Sequence, residues 1–189
     1  MKLRHLLLCA LAAAASVASA QTADPADLSL EDNINTPAIE RKRHAAAAEK
    51  AQKLSASLRR KGLRTATLRN GEVVLATMPC DTLFAANATD PKPEALARLR
   101  ALTEVVGQPG EYKVLVAVHS DDTGDDAYSD ALTEARANAV DDLLWQLADR
   151  RDTNVVIYGL GKDEPVNAND TRNRRRANRR VEFYIVPLR

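Results

Sequence analysis

The residues best suited to bind a charged ligand lie in three segments of the second half of the chain. Asp121 closes the segment His119-Ser120-Asp121, Arg136 lies within residues 132–137, and Arg179 lies within residues 178–182. A carboxylate accepts hydrogen bonds from an ammonium group, and a guanidinium group binds a carboxylate through two parallel hydrogen bonds. A fold that brings these groups together would therefore suit a ligand that carries both an ammonium and a carboxylate.

Arg136 is predicted to point from the buried side of a helix. It lies four residues after Leu132 and four before Val140, and residues four apart share one helix face. A buried guanidinium needs a partner, because an unpaired buried charge is very costly. Asp121, in the loop that enters this helix, is the natural candidate. The residue types leave two interpretations equally open: a salt bridge that holds the strand-to-helix connection, and a ligand site.

Other kinds of chemistry find little support in the residue pattern. The acidic loop at 121–126 lacks the alternating ligands and final glutamate of a calcium loop, and acidic residues there are more often explained by the positive end of a helix dipole. His119 has no cysteine or histidine nearby at metal-binding spacing. Cys80 has no basic neighbour in sequence that would activate it, and no serine occupies a nucleophile elbow. We therefore expect no metal, no cofactor and no enzymatic activity.

A run of arginines crowds the last part of the chain. It is typical of nucleic-acid-binding or nuclear-import tracts, but a net charge of +1 gives no general attraction to nucleic acid. The signal-peptide pattern of residues 1–20, which predicts export, argues against both roles. Contact with anionic polymers or lipid headgroups stays open. Most arginines in such a run are solvated, so we assign a binding role to two at most. The run comprises Arg172, Arg174, Arg175, Arg176, Arg179 and Arg180.

Hydrophobic periodicity indicates the elements that must position these residues. Asn70-Gly71 favours a two-residue hairpin turn, since both residues tolerate positive φ angles. The order is a β-hairpin, then α, β, α, β, a short α and β, which predicts an α+β fold with a mixed β-sheet and helices packed on one face. The predicted strands are 63–68, 72–78, 112–118, 154–158 and 181–186, and the predicted helices are 94–106, 126–149 and a short one ending at residue 176.

The N-terminal region divides into three segments ahead of a domain at 63–189. Residues 1–20 have the basic start, apolar run and small-x-small cleavage site of a signal peptide. The run is shorter than the roughly 20 residues of a membrane-spanning helix, so we expect no transmembrane span in the mature chain. Residues 21–35 are predicted to be a flexible tether. Residues 36–62 are predicted to form a charged, alanine-rich helix, either a spacer or a helix that lies along the domain or a partner. Because Cys9 lies in the predicted signal peptide, Cys80 would be the lone cysteine of the mature chain, and it is predicted to be buried.

These segments together resemble the OmpA-like C-terminal domain, the peptidoglycan-binding module also found in Pal lipoproteins and MotB-type stator proteins. The likeness runs from about Val73 to Val186. The segments that carry the likeness are Leu83-Phe84 with Asn87, the helix after Pro93, Val118-His119-Ser120-Asp121 with Gly124, Tyr128 through Arg136-Ala137, Gly159-Leu160-Gly161 with Glu164-Pro165, and Asn169-x-Thr171 through Asn178-Arg179-Arg180-Val181.

The resemblance implies non-covalent binding of the diaminopimelate residue in peptidoglycan stem peptides, which would link the protein to the cell wall in the periplasm. It implies that Asp121 and Arg136 hold the charged groups of the ligand. Arg179 and Asn87 are similar to further pocket members of the family. Ser120 and Ser129 occupy motif positions of the same site. Association with the outer membrane is compatible with this family.

Three residues depart from the pattern of the family. Ser120 stands in place of the usual threonine and keeps the hydroxyl, whereas Ser129 stands in place of asparagine and shortens one polar contact. Arg174 replaces a glycine, so the basic loop is expected to take a different path. Ser129 and Arg174 motivate an alternative function, a scaffold that keeps the fold but binds an envelope protein partner through its basic helix and loop.

Overall fold

The computed structural model describes residues 36–106, 111–147 and 154–188. The predicted α+β fold and its order of elements are confirmed. The predicted signal peptide (1–20), the tether (21–35) and the turn at 107–110 lie outside the described residues. The elements are α1 (Thr36–Arg60), β1 (Arg64–Leu68), β2 (Val73–Pro79), a 3₁₀ turn (Cys80–Thr82), α2 (Ala95–Val106), β3 (Tyr112–His119), α3 (Asp126–Leu147), β4 (Asn154–Gly159), α4 (Arg172–Asn178) and β5 (Arg180–Pro187).

The five strands form one mixed sheet in the order β1-β2-β5-β3-β4. β3 and β4 are parallel, and the other neighbours are antiparallel. The last strand is thus inserted between β2 and β3, where its first residue, Arg180, pairs with Pro79 on one side and His119 on the other. As a result, the segments that follow β2 and β3 and the one that precedes β5 meet at the same end of the sheet.

The hydrophobic core lies between one face of the sheet and helices α1, α2 and α3. Alternate strand residues such as Val116, Phe183 and Ile185 are fully buried there, as expected for strands whose side chains alternate between faces. Leu54 and Leu58 of α1 belong to the same core. The second half of α1 is therefore packed onto the domain. No helix in the described ranges has the length and apolar character needed to cross a membrane.

The hairpin between β1 and β2 is confirmed, but the prediction of a two-residue turn was wrong. Leu68 pairs with Val73, which leaves residues 69–72 in the connection. Arg69, Asn70 and Gly71 all have positive φ angles. Glu72 lies outside the strand, where its carboxylate is hydrogen-bonded to His44 of α1. Three consecutive residues with positive φ angles take up the turn, so Glu72 falls in the connection, where it contacts α1 instead of pairing in the strand.

Candidate functional site

A pocket opens at the end of the sheet where β2 and β3 finish and β5 begins. Its volume is about 380 Å³, at the lower end of the roughly 300–1,000 Å³ found for small-molecule sites. The hydrogen bond from the Cys80 amide to the Arg179 carbonyl, 3.0 Å long, joins two of its walls. The lining residues come from three distant stretches of sequence and from α3: Cys80, Asp81, Phe84, Ala85, Ala86, Asn87, Ser120, Asp121, Thr123, Tyr128, Leu132, Arg136, Arg172 and Arg179.

Asp121 lies just past the end of β3 and is only 4% exposed. Its Oδ1 accepts a hydrogen bond of 3.0 Å from the Thr123 amide, and its Oδ2 accepts one from the Arg179 guanidinium. Burial alone would raise the pKa of Asp121, but the hydrogen bonds from Thr123 and the adjacent Arg179 charge outweigh it and hold the pKa below its ordinary value. The carboxylate is therefore charged at neutral pH.

Arg136 is 3% exposed, which confirms the prediction that it points from the buried face of α3. Its Nε–H donates to the Ala88 carbonyl at 2.9 Å, and its Nη2 donates to the Ala85 carbonyl at 3.3 Å. The guanidinium carbon lies 5.2 Å from the centre of the Phe84 ring, within the range of a cation–π contact. These bonds use two of the five N–H groups that an arginine offers.

The prediction that Asp121 is the partner of Arg136 was wrong. Within the described part of the chain, the ion pair of Asp121 is with Arg179, and Arg136 binds main-chain carbonyls. The loop after β2 passes over α3 and supplies those carbonyls, a contact that spacing along the sequence does not show. The two charged groups therefore line one pocket without neutralising each other.

Asn87 is held at the pocket by the same arginine. The carbonyls that accept from Arg136 belong to Ala85 and Ala88, on either side of Asn87. Asn87 itself is exposed and has a φ angle of 55°, in the left-handed region that asparagine tolerates better than most residues. Arg136 thus positions the loop that carries Asn87, in addition to lining the pocket.

The two predicted serines occupy different environments. Ser120 lines the pocket, is 6% exposed, and donates from its hydroxyl to the Asp121 carbonyl at 2.8 Å. Ser129 is fully buried in α3 and is not among the residues that line the pocket. The structure therefore brings Asp121, Arg136, Arg179, Asn87 and Ser120 together, and it does not bring Ser129 to them.

Several residues that line the pocket are not among the site residues predicted from the sequence. Tyr128 and Leu132 precede Arg136 by eight and four residues on α3, so helical spacing could have placed them on the same stripe. No sequence pattern indicates that Asp81 and Arg172 lie at the pocket, because their positions depend on the order of the strands in the sheet. Asp81 is ion-paired with Arg176 at 2.6 Å. Cys80 is buried as predicted, and burial raises the pKa of its thiol to about 11.

A buried charge network anchors the start of β5 beside the pocket. Glu182 accepts from Arg180 at 2.7 Å and from the Tyr184 hydroxyl at 2.5 Å, and it lies 3.3 Å from Nε2 of His119. Burial would raise the pKa of Glu182, but the His119 contact and the Arg180 charge lower it below its ordinary value. Burial lowers the pKa of His119, which favours the neutral ring. These contacts join the start of β5 to His119 at the end of β3. Arg179 directly precedes β5, so the network also fixes the position of this pocket wall.

The described residues contain no group of three or more histidine, cysteine, aspartate or glutamate side chains arranged to hold a metal ion. The charged atoms of the pocket come instead from aspartates and arginines. Such a site can bind a zwitterionic ligand by hydrogen bonds and ion pairs.

Comparison with known proteins identifies relatives of the chain. A model of the OmpA family matches residues 83–179. The putative lipoprotein YfiB of Escherichia coli K12 is 32% identical over 105 residues, which is 55% of this chain and 65% of that protein. Outer membrane porin F of Pseudomonas aeruginosa is 34% identical over 105 residues, which is 56% of this chain and 30% of that protein. The chain thus spans less than two thirds of the length of either relative.

Solved structures share the fold. A putative MotB-like protein from Desulfovibrio vulgaris has a TM-score of 0.68 at 19% identity, covering 79% of this chain and 99% of that one. The cell wall anchor of the T6SS from Pseudomonas aeruginosa has a TM-score of 0.57 at 24% identity, covering 72% and 96%. Since the family model spans more than half of the chain, the protein belongs to the OmpA family.

Proposed function

We propose that this chain binds peptidoglycan non-covalently through the diaminopimelate residue of its stem peptides, and so associates with the cell wall in the periplasm. The observation that carries the proposal is that a carboxylate and a guanidinium line one pocket without forming an ion pair with each other. Asp121 and Arg136 both line it, yet each is engaged by other groups. A ligand with an ammonium and a carboxylate on one carbon complements this arrangement.

The ammonium of the ligand is assigned to Asp121. An ionised carboxylate has about four sites that accept hydrogen bonds. The contacts from Thr123 and Arg179 leave part of this capacity for an ammonium at the pocket. The lowered pKa of Asp121 keeps the carboxylate charged at neutral pH. The side chain of Arg179 is 36% exposed, so it can shift to admit the ligand.

The carboxylate of the ligand is assigned to Arg136. The N–H groups of Arg136 that Ala85 and Ala88 do not use are available for a carboxylate. Its planar guanidinium is held in place by these two carbonyls and by Phe84. A donor held in its binding geometry loses less conformational entropy when the ligand arrives. Asn87, on the same loop, adds an amide at the rim.

Membership of the OmpA family supports a role at the cell envelope. Among proteins similar to this chain, one is named a lipoprotein, one an outer membrane porin, and one a cell wall anchor. We infer a periplasmic location for this chain on that basis. Catalysis has less support, because both aspartates of the pocket are ion-paired with arginines and burial holds the Cys80 thiol neutral.

The alternative of a scaffold for a protein partner rested on Ser129 and Arg174. Neither residue lines the pocket. Arg174 instead forms an ion pair of 2.6 Å with Asp170, on the outside of α4. Both departures from the family pattern therefore leave the charged groups of the site in place, which favours ligand binding over the scaffold.

Retention on purified peptidoglycan sacculi tests the proposal. The test variant is Asp121→Asn, which removes the charge while keeping the size. The matched control is Asp122→Asn, which removes the same charge from the exposed neighbour. We expect wild type and the control to be retained and Asp121→Asn to be lost. Absence of wild-type retention would refute the function, and full retention of a folded Asp121→Asn protein would refute the assigned site.

A further inference from the structure

Arg172 differs from the other arginines around α4. Its side chain is exposed and lines the pocket, but it makes no hydrogen bond or ion pair with any part of the chain that the structure describes. Its neighbours are all engaged. Arg174 pairs with Asp170, Arg176 with Asp81, Arg179 with Asp121 and Arg180 with Glu182, and Arg175 donates to the Asn169 carbonyl.

The side chains that line the pocket carry more positive than negative charges. Its lining includes the aspartates Asp81 and Asp121 and the arginines Arg136, Arg172 and Arg179. Each aspartate already faces an arginine. Among the described residues, Arg136 and Arg172 are therefore the lining cations without a counterion. The proposed function uses Arg136 for one carboxylate, which leaves Arg172 without an anion.

We propose that Arg172 is a specificity-determining residue that binds a second carboxylate of the stem peptide, separate from the one held by Arg136. This inference rests on the proposed function and adds the charge state of the ligand. A stem peptide offers two such carboxylates: the α-carboxylate of the γ-linked glutamate before diaminopimelate, and the terminal carboxylate of a peptide that ends at diaminopimelate. Amidation removes the charge of either one. The protein would therefore discriminate against stem peptides amidated at the group that Arg172 binds.

Calorimetric titration with three synthetic tripeptides tests this inference. All contain L-alanine, γ-linked D-glutamate and meso-diaminopimelate. One is unmodified, one carries an amide at the glutamate α-carboxyl, and one carries an amide at the terminal carboxyl. The proteins are wild type, Arg172→Gln and the control Arg174→Gln, which removes the same charge from the same helix outside the pocket. Comparison of the two amidated peptides identifies which carboxylate Arg172 binds.

For wild type, we expect one amidation to weaken binding by about threefold to tenfold, the range for a partly exposed ion pair with a charged donor. Arg172→Gln should bind the unmodified peptide more weakly by a similar factor and show no further loss with that amide. Arg174→Gln should behave as wild type. Thermal unfolding should be unchanged in both variants, since Arg172 is exposed and Arg174 has only a surface ion pair.

Two results would overturn the inference. Equal affinity of wild type and Arg172→Gln for the unmodified peptide would show that Arg172 contacts no ligand group. An amidation penalty that persists in Arg172→Gln would assign the second carboxylate to another residue. In both cases wild type still binds, so the proposed function stands. Failure of wild type to bind any of the three peptides would refute both proposals together.

Discussion

Replacing Arg136 with lysine separates the charge of this residue from its hydrogen-bonding geometry. In the native protein two different nitrogens of Arg136 donate to the Ala88 and Ala85 carbonyls, at 2.9 and 3.3 Å. Lysine keeps the positive charge but has a single nitrogen on a flexible stem. Arg136→Lys therefore loses at least one charge-assisted bond to the loop that carries Asn87, and it loses the fork that binds a carboxylate through two bonds.

The expected cost follows from these contacts. A hydrogen bond to a charged group contributes about 1.5–3 kcal/mol. Ala85 is exposed and Ala88 half-buried, so a released carbonyl can accept from water, and we expect a net loss of about 1–2 kcal/mol in the free energy of unfolding. In a domain of this size that lowers the melting temperature by roughly 2–8 °C. Loss of one arm of the carboxylate contact should weaken peptide binding by about tenfold.

Three measurements on Arg136→Lys and on the exposed control Arg98→Lys check this reasoning. Calorimetry gives the melting temperature, peptide titration gives the affinity, and amide hydrogen exchange gives the mobility of residues 83–92. The control should match wild type in all three. A variant that melts, exchanges and binds like wild type would refute the assignment of Arg136 as both loop support and ligand contact.

Two further predictions concern the other buried charges. Glu182→Gln leaves the buried Arg180 without its counterion, which should cost about 3–5 kcal/mol. Urea denaturation measures this cost, and a loss below 1 kcal/mol would contradict the network. The folded-state pKa of Asp121 is lowered, so its contribution to stability is present above its unfolded-state pKa, near 3.9, and is lost as the pH falls through the folded-state pKa. Urea denaturation between pH 2 and pH 7 should therefore show a smaller acid-induced loss in Asp121→Asn than in Asp122→Asn, and equal losses would contradict the prediction.

Helical spacing explains only part of how α3 contributes to the pocket. Each residue turns about 100° around a helix, so residues 128, 132 and 136 form one stripe, which lines the pocket. Ser129 precedes Arg136 by seven residues, about 20° short of two full turns, so it lies close to Arg136 around the helix. Ser129 and Thr133 are nevertheless both fully buried. Helical phase therefore does not separate Ser129 from Arg136, whereas packing does, because the Ser129 side chain is fully buried and does not line the pocket.

The sequence by itself determined the elements, the α+β class and the burial of Arg136 and Cys80. Each of these follows from local backbone periodicity or from the apolar character of one side chain. Residues 80–88, 120–123 and 172–179 are far apart along the chain, and their meeting depends on the insertion of β5 between β2 and β3. Only the tertiary structure could decide that Arg136 binds loop carbonyls, that Arg179 binds Asp121, and that Arg172 faces the pocket without a counterion. The partner of a charge is set by distances between packed segments, and spacing along the sequence does not contain those distances.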